Sequence, residues 1–367
     1  MTDESIWKGL PVFVTGHTGF KGSWLTLWLT SCGARVHGYS LEAPTEPNMF
    51  GCCRIGELMA SHTIGDVRDL EHLRESMVRS GARVVFHLAA QPIVQDSYTD
   101  PVGTYSTNIM GTVHLLEAVR SVPTVGAVVI VTSDKCYADR KWPWGYREID
   151  RLGGLDPYSN SKACTELVTS AYMNSFFSPD EYTSHGVAIA TVRAGNVLGG
   201  GDWAPHRLIP DCIRAFLGGN PAQLRNPNAR RPWQHVLEPL SGYITVAERL
   251  LSQGTAFSGA WNFGPPDEQP ETVLAMTKLL CKYWFAPAEY EVTGDAGGGH
   301  ETHYLSLSSV KAISGLGWAP RWGIATALEK TVDWVRVFAK GEDLRQITLE
   351  QIQCYEADRQ PQNGKER

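Results

Sequence analysis

Along the first two hundred residues, short apolar runs alternate with stretches of helical character, and no other feature constrains the fold as much. The runs are LPVFVTG, ARVHGYS, HTIGDV, ARVVFHLAA, GAVVIVTSD and VAIATVRAGNV. Between them lie KGSWLTLWLTSCG, RDLEHLRESMVRSG, DPVGTYSTNIMGTVHLLEAVRS and DPYSNSKACTELVTSAYMNSFF. Strands that are apolar almost throughout must be covered on both faces, and crossover helices supply the cover. The pattern therefore predicts a doubly wound parallel α/β sheet. Beyond residue 200 it gives way to Gly- and Pro-rich loops such as GGGDWAP and NPNARRPWQ, with short helices between. Residues 1–200 are expected to form the sheet domain, and 201–340 a smaller, mixed lobe against the C-terminal edge of the sheet. Residues 341–367 read as a polar, frayed tail.

The net charge of −6 is mild and the basic residues are scattered, which argues against a nucleic-acid surface. The eight cysteines show no C-x-x-C and no paired framework, as expected for free thiols in a reducing compartment. The opening MTDESIWKGL carries acids and lacks an apolar h-region, and no run approaches a membrane span. The expected location is the cytoplasm.

Between the first strand and the first helix, TGHTGFKG places Gly16, Gly19 and Gly22 in a G-x-x-G-x-x-G spacing. Glycines there permit a tight turn and close backbone approach to a pyrophosphate seated on the helix N-terminus. The loop of Gly16, His17, Thr18, Gly19, Phe20, Lys21 and Gly22 is thus expected to hold a dinucleotide on a Rossmann-type sheet. Ser40 stands at the end of the second strand, where an acid often meets the ribose hydroxyls, and Glu42 is offset from that position. No arginine follows that strand to receive a 2′-phosphate, which favours NAD over NADP. Asp66, in GDVRD, is a candidate acceptor for adenine and equally a helix N-cap.

YSNSK sets Tyr158 and Lys162 four apart, on one face of a helix. A cation beside a tyrosine stabilises the phenolate, lowering its pKa and making a general base for a hydroxyl proton. The strand GAVVIVTSD ends by presenting Ser133, Asp134 and Lys135, an acid and an amine side by side. Doubly wound folds bind ligands at that strand edge, so the pair reads as chemistry before it reads as a helix cap with a solvent-facing lysine. HETH, His300 to His303, lacks the helical H-E-x-x-H spacing and a third ligand, so no metal is expected.

Taken together, TGHTGFKG, DVRD, FHLAAQ, NIMGT, TSDK, YSNSK and RAGNV, followed by RLIP, RPWQHV, WNFGP and LGWAP, resemble the extended short-chain dehydrogenase/reductase family in its sugar-nucleotide branch. The resemblance spans nearly the whole chain. It implies that the glycine loop, Ser40, Asp66, Val67, Leu88, Ala89, Ala90, Asn108, Tyr158 and Lys162 contact NAD. It implies further that Gln91, Ser133, Asn196, Arg207, Leu208, Arg231, His300 and Tyr304 face a sugar nucleotide. Trp233 serves equally well as packing or as a surface for a base.

The thymidine-linked 4,6-dehydratases carry Asp-Glu where this chain has Asp134-Lys135, and the pair is similar instead to the branch acting on CDP-D-glucose. The implied reaction is NAD-dependent dehydration to a 4-keto-6-deoxy sugar for deoxysugar and lipopolysaccharide O-antigen synthesis. Tyr158 would take the C4 hydroxyl proton, Ser133 bond the C4 oxygen, and Asp134 protonate the departing C6 hydroxyl. Lys135 would act as the C5 base, after desolvation lowered its pKa, or stabilise an enolate. A 4-epimerase and a catalytically silent NAD sensor are the alternatives; the acid–amine pair disfavours the first and the intact Tyr158 and Lys162 the second. TYSTNIMGTVHLLEAV and SKACTELVTSAYMNSFF carry apolar residues on more than one face, which predicts a homo-oligomer; the resemblance implies a homodimer through these paired helices, with a homotetramer as an open extension.

Overall fold

The computed structural model describes residues 2–142, 144–265, 271–294 and 305–358. Strands β1 (Pro11–Thr15), β2 (Arg35–Ser40), β3 (Ser61–Ile64), β4 (Val84–His87), β5 (Ala127–Val131), β6 (Ala188–Ala194) and β7 (Gly259–Phe263) make one sheet, ordered β7-β6-β5-β4-β1-β2-β3. Every neighbouring pair is parallel. The strand order reverses between β1 and β4, which opens a crevice at their C-terminal ends.

The apolar strands are explained by the two cores. Val12 and Val14 of β1, with Val129 of β5, face one layer, whereas Phe13 of β1 and Val128 and Ile130 of β5 face the other. Helix α1 (Phe20–Ser31) belongs to the first layer and α2 (Leu70–Ser80) to the second. The long helix α3 also covers the second layer. It runs from Pro101–Tyr105 through a π-helical turn at Ser106–Met110 into Gly111–Arg120. Beside it lies α4 (Pro157–Ser175), which Asp156 caps by accepting from the Ser159 amide. Pro157 at its first position is preset for the helix.

The six sequence-derived strands are all present, and the seventh comes from beyond residue 200, outside the stretch expected to form the sheet. GAWNF is five residues opening on Gly259 and followed by Gly264, too short for its periodicity to be read, yet it pairs with β6 from Gly259↔Ala190 to Phe263↔Ala194. The chain beyond residue 200 also supplies α5 (Leu208–Leu217), α6 (Leu237–Gln253), α7 (Val273–Tyr283) and α8 (Ile324–Lys340). No described helix is long and apolar enough to cross a membrane.

The tail departs from expectation. Rather than fraying after Lys340, the chain forms α9 (Leu344–Ala357), with Asp343 accepting from the amides of Arg345 and Gln346. Leu344, Thr348, Ile352 and Tyr355 are buried along one side, a stripe that the many polar residues between them conceal. The Tyr355 hydroxyl meets Glu238 Oε2 at 2.8 Å and Ser241 Oγ at 3.0 Å on α6, and its ring lies edge-on to Trp28 and Trp322. Tyr355→Ala should therefore cost about 3–5 kcal/mol of stability in urea unfolding, as a large core truncation does. A dispensable tail would lose almost nothing.

Candidate active site

Two close backbone approaches build the crevice at the β1/β4 switch point. Gly16 has φ +75°, and a Cβ there would stand 2.7 Å from the Ala89 amide nitrogen; a Cβ on Gly22 would stand 2.0 Å from the Gly16 carbonyl. Helix α1 can pack its first turn on the loop only with glycine at both positions. Gly19, the N-cap of α1, has no such crowding. Its surroundings leave the amides of the first turn room to meet an anion, as the glycine spacing requires. Leu88 and Ala89 line the opposite wall through amides donating to the Thr15 carbonyl and hydroxyl.

The side chains of this loop divide by direction. Thr18 Oγ1 is 2.8 Å from Ser40 Oγ, which ties the loop to the end of β2. The ring of His17 is buried against Gly38, Phe50 and His62, so only its backbone faces the crevice. Lys21 reaches inward, with Nζ 3.5 Å from Tyr243 Oη, and burial with the charges of Arg207 and Lys162 pulls its amine down to about 8. Asp66 is not the N-cap of α2: Asp69 accepts from the His72 amide and does that work. Asp66 instead accepts from the Arg68 amide and guanidinium, which keep its carboxyl below the usual range. Val67 packs in the α2/α3 core.

At the end of β5, Ser133 caps a single 3-10 turn of Asp134, Lys135 and Cys136. The Ser133 hydroxyl donates to Asp134 Oδ1 at 3.0 Å. Asp134 is 3% exposed, and its Oδ2 is buried with no protein partner. Burial raises this carboxyl despite the opposing charges of Lys135, Lys21 and Arg231 and the Ser133 bond, so it holds a proton more readily than an exposed aspartate. Lys135 is half-buried beside it, not a solvent-facing lysine.

Tyr158 and Lys162 come to the same place from α4. Burial pushes the Tyr158 phenol up to about 12, against the nearby Ser133 hydroxyl, which favours the phenolate. That direction opposes the lowering expected from an adjacent lysine. The Lys162 ammonium donates to the Val131 carbonyl at 3.1 Å, and burial lowers it to about 8. Arg207 is the cation that favours the phenolate here.

The remaining candidates separate into groups. Asn108 sits in the π turn of α3, where its amide bonds the Gln91 backbone and Ser161 Oγ. The Gln91 side chain is spent on Ile93 and Thr104, turned into its own loop. Arg207 precedes α5, which opens with Leu208, and holds Asp202 at 3.1 Å. Asn196 anchors Gln234 through its carbonyl, and Arg231 acts on Asp134 by charge. Trp233 packs in the core. His300 and Tyr304, with the rest of HETH, lie outside the described residues, among which no cluster of three metal-ligating side chains occurs.

Sequence reasoning passed over one buried ion pair directly behind these groups. Glu166 on α4 takes both Nε and Nη2 of Arg193 on β6 at 2.8 Å. Two signals were available: Glu166 follows Lys162 at the same i+4 step, and an arginine inside an apolar strand requires a partner.

The Lys162 amine makes a checkable contribution to stability. Its folded pKa is depressed, so between about pH 8 and 10.5 the unfolded chain binds more protons there, and this group's penalty to folding fades as pH rises. Unfolding free energies of wild type and Lys162→Met should therefore shift in favour of wild type from pH 8 to pH 10. A difference constant with pH would place the amine in water.

The GDP-mannose 4,6 dehydratase family model matches residues 13–258. The chain is 54% identical to the CDP-glucose 4,6-dehydratase of Salmonella typhimurium over 97% of its own length and 98% of that protein. A dTDP-glucose 4,6-dehydratase from Streptomyces venezuelae solved with NAD superposes with a TM-score of 0.74, at 24% identity, over 91% of this chain and 99% of that one. A UDP-glucose 4-epimerase from Stenotrophomonas maltophila with bound NAD gives 0.76 at 20% identity, over 90% and 99%. The fold is thus shared by dehydratases and epimerases, and the side chains must distinguish them.

Proposed function

The chain belongs to the GDP-mannose 4,6 dehydratase family, and from that premise we propose that it dehydrates CDP-D-glucose to CDP-4-keto-6-deoxy-D-glucose with NAD as a regenerated cofactor. The observation that carries this reading is Asp134: a buried carboxyl, raised by burial, with one oxygen unsatisfied and the other bonded by Ser133, on the turn that packs against the Tyr158 helix. An epimerase needs a base at C4 but no acid at C6. The glycine cradle of Gly16 and Gly22, with the uncrowded Gly19 between them, fits the pyrophosphate of a dinucleotide. NAD, when bound, supplies the acceptor that oxidises C4 and returns the same hydride to C6.

The chain's own groups do the rest. Tyr158 takes the C4 hydroxyl proton, and Ser133 holds the resulting oxygen. Lys162, Arg207 and Lys21 give the pocket the positive charge that a phenolate, an enolate and a diphosphate each require. With C4 a ketone, the C5 proton becomes acidic. Asp134 then donates its proton to the C6 hydroxyl, and water departs. Lys135, adjacent to that acid, serves the C5 side of the elimination. Because the redox steps close on one sugar, no NAD is consumed. The product suits deoxysugar assembly for a lipopolysaccharide O-antigen.

We also place a homodimer on α3 and α4. Val102 (78% exposed), Met110, Leu167 and Phe176 leave apolar surface on both helices that a two-fold partner would bury. Light scattering at micromolar concentration should give twice the chain mass, and a monodisperse monomer would refute the pairing.

Asp134→Asn keeps shape and hydrogen bonding but removes the transferable proton. Turnover should fall roughly 10²–10⁴-fold while reduced-nicotinamide absorbance and a 4-keto hexose accumulate. Tyr158→Phe should give neither. If the two variants behaved alike, with no reduced nicotinamide in either, Asp134 would serve binding or C4 chemistry and the proposed division would fail.

A further inference from the structure

Glu166 and Arg193 are almost fully buried, and between them they hold both halves of the site. Glu166 Oε1 accepts from Thr132 Oγ1 at 2.5 Å, and Oε2 from Thr191 Oγ1 at 2.6 Å, besides the two bonds from Arg193. The carboxylate is therefore saturated with four donors. Arg193 Nη1 donates to Tyr137 Oη at 2.6 Å and to the Glu148 carbonyl at 3.1 Å, and the Tyr137 hydroxyl donates on to Asn262 of β7 at 2.8 Å. Thr132 and Tyr137 are the residues flanking the Ser133–Cys136 segment. The turn that presents Asp134 is thus clamped at one end to the carboxylate and at the other to the guanidinium. Glu166 also lies one helical turn beyond Lys162 on α4, in line with Tyr158.

We propose that the Glu166–Arg193 pair is the positioning element that fixes the Asp134 turn against the Tyr158–Lys162 face and sustains the charge of the Lys162 ammonium. Ordinary folding needs would be met by apolar side chains in this place, since a buried pair seldom repays its desolvation by comparison with well-packed hydrophobes. What apolar packing could not do is hold two chain segments in register through hydrogen bonds while placing an anion near Lys162. The groups acting on that amine are Glu166 one turn along its own helix, the Cys136 thiol from the turn, neutral His87 from β4 and Lys21 from α1. Of these, Glu166 is the largest influence raising the Lys162 pKa, against the larger effect of burial. The inference rests on the roles proposed above for Tyr158, Lys162 and Asp134.

The test compares pH–rate profiles of full-length wild type, Glu166→Gln and Thr132→Val on CDP-glucose. Loss of the carboxylate should move the alkaline limb of kcat to lower pH by more than about half a unit, because the Lys162 ammonium then deprotonates sooner. A limb that stays in place would overturn the inference, even if activity fell at every pH. Thr132→Val keeps the charge but cuts the tie to the Asp134 turn, so kcat should drop about tenfold with KM and the alkaline limb unchanged, and Thr132→Ser should restore it. Should Glu166→Gln fail to fold, the Thr132 pair decides, and equal kcat in the Val and Ser variants would overturn the inference. If wild type itself formed no keto-deoxy product, the functional reading would fail instead, which is a separate outcome.

Discussion

Keeping one carboxyl group out of water, with half of it unsatisfied, is the constraint around which the site is arranged. Asp134 could not remain buried if the turn beneath it were loose, because water or a shifted backbone would satisfy its free oxygen. The sheet provides the rigidity: β5 lies between β4 and β6, and the hydroxyls of Thr132 and Tyr137 hold the chain on either side of the turn. Burial raises the carboxyl, and the charges of Lys135, Lys21 and Arg231 oppose that rise without cancelling it.

The same arrangement explains why two sets of titratable groups can share a small volume. Tyr158 and Lys162 project from one helix, whereas Asp134 and Lys135 stand on the strand end facing it. Ser133 connects the two sets, donating to Asp134 while its hydroxyl favours the Tyr158 phenolate.

Where the sequence speaks plainly, a local pattern coincides with a structural requirement. Five of the six strands of residues 1–200 are legible because both faces are buried, the edge strand β3 being mostly exposed, and the glycine loop because Gly16 and Gly22 leave no room for a Cβ. The pair Tyr158 and Lys162 is legible through the helical repeat. Other features depend on distant partners and leave little local trace. Strand β7 is short and flanked by glycines, and α9 hides four buried positions among polar ones. The direction of the Tyr158 shift reflects burial that no spacing reports, and the inward turn of the Gln91 amide depends on Thr104. Asp66 reads as a cap on paper, and the backbone path gives that role to Asp69.

In the proposed reaction one sugar is oxidised and reduced in the same turnover while water leaves. CDP-glucose carrying deuterium at C4 tests this directly, by NMR and mass spectrometry of the product formed in ordinary water. The 4-keto-6-deoxy product should carry that deuterium at C6 and one solvent-derived hydrogen at C5. Deuterium retained at C4 of an epimerised sugar, or left on nicotinamide with no dehydration, would contradict it.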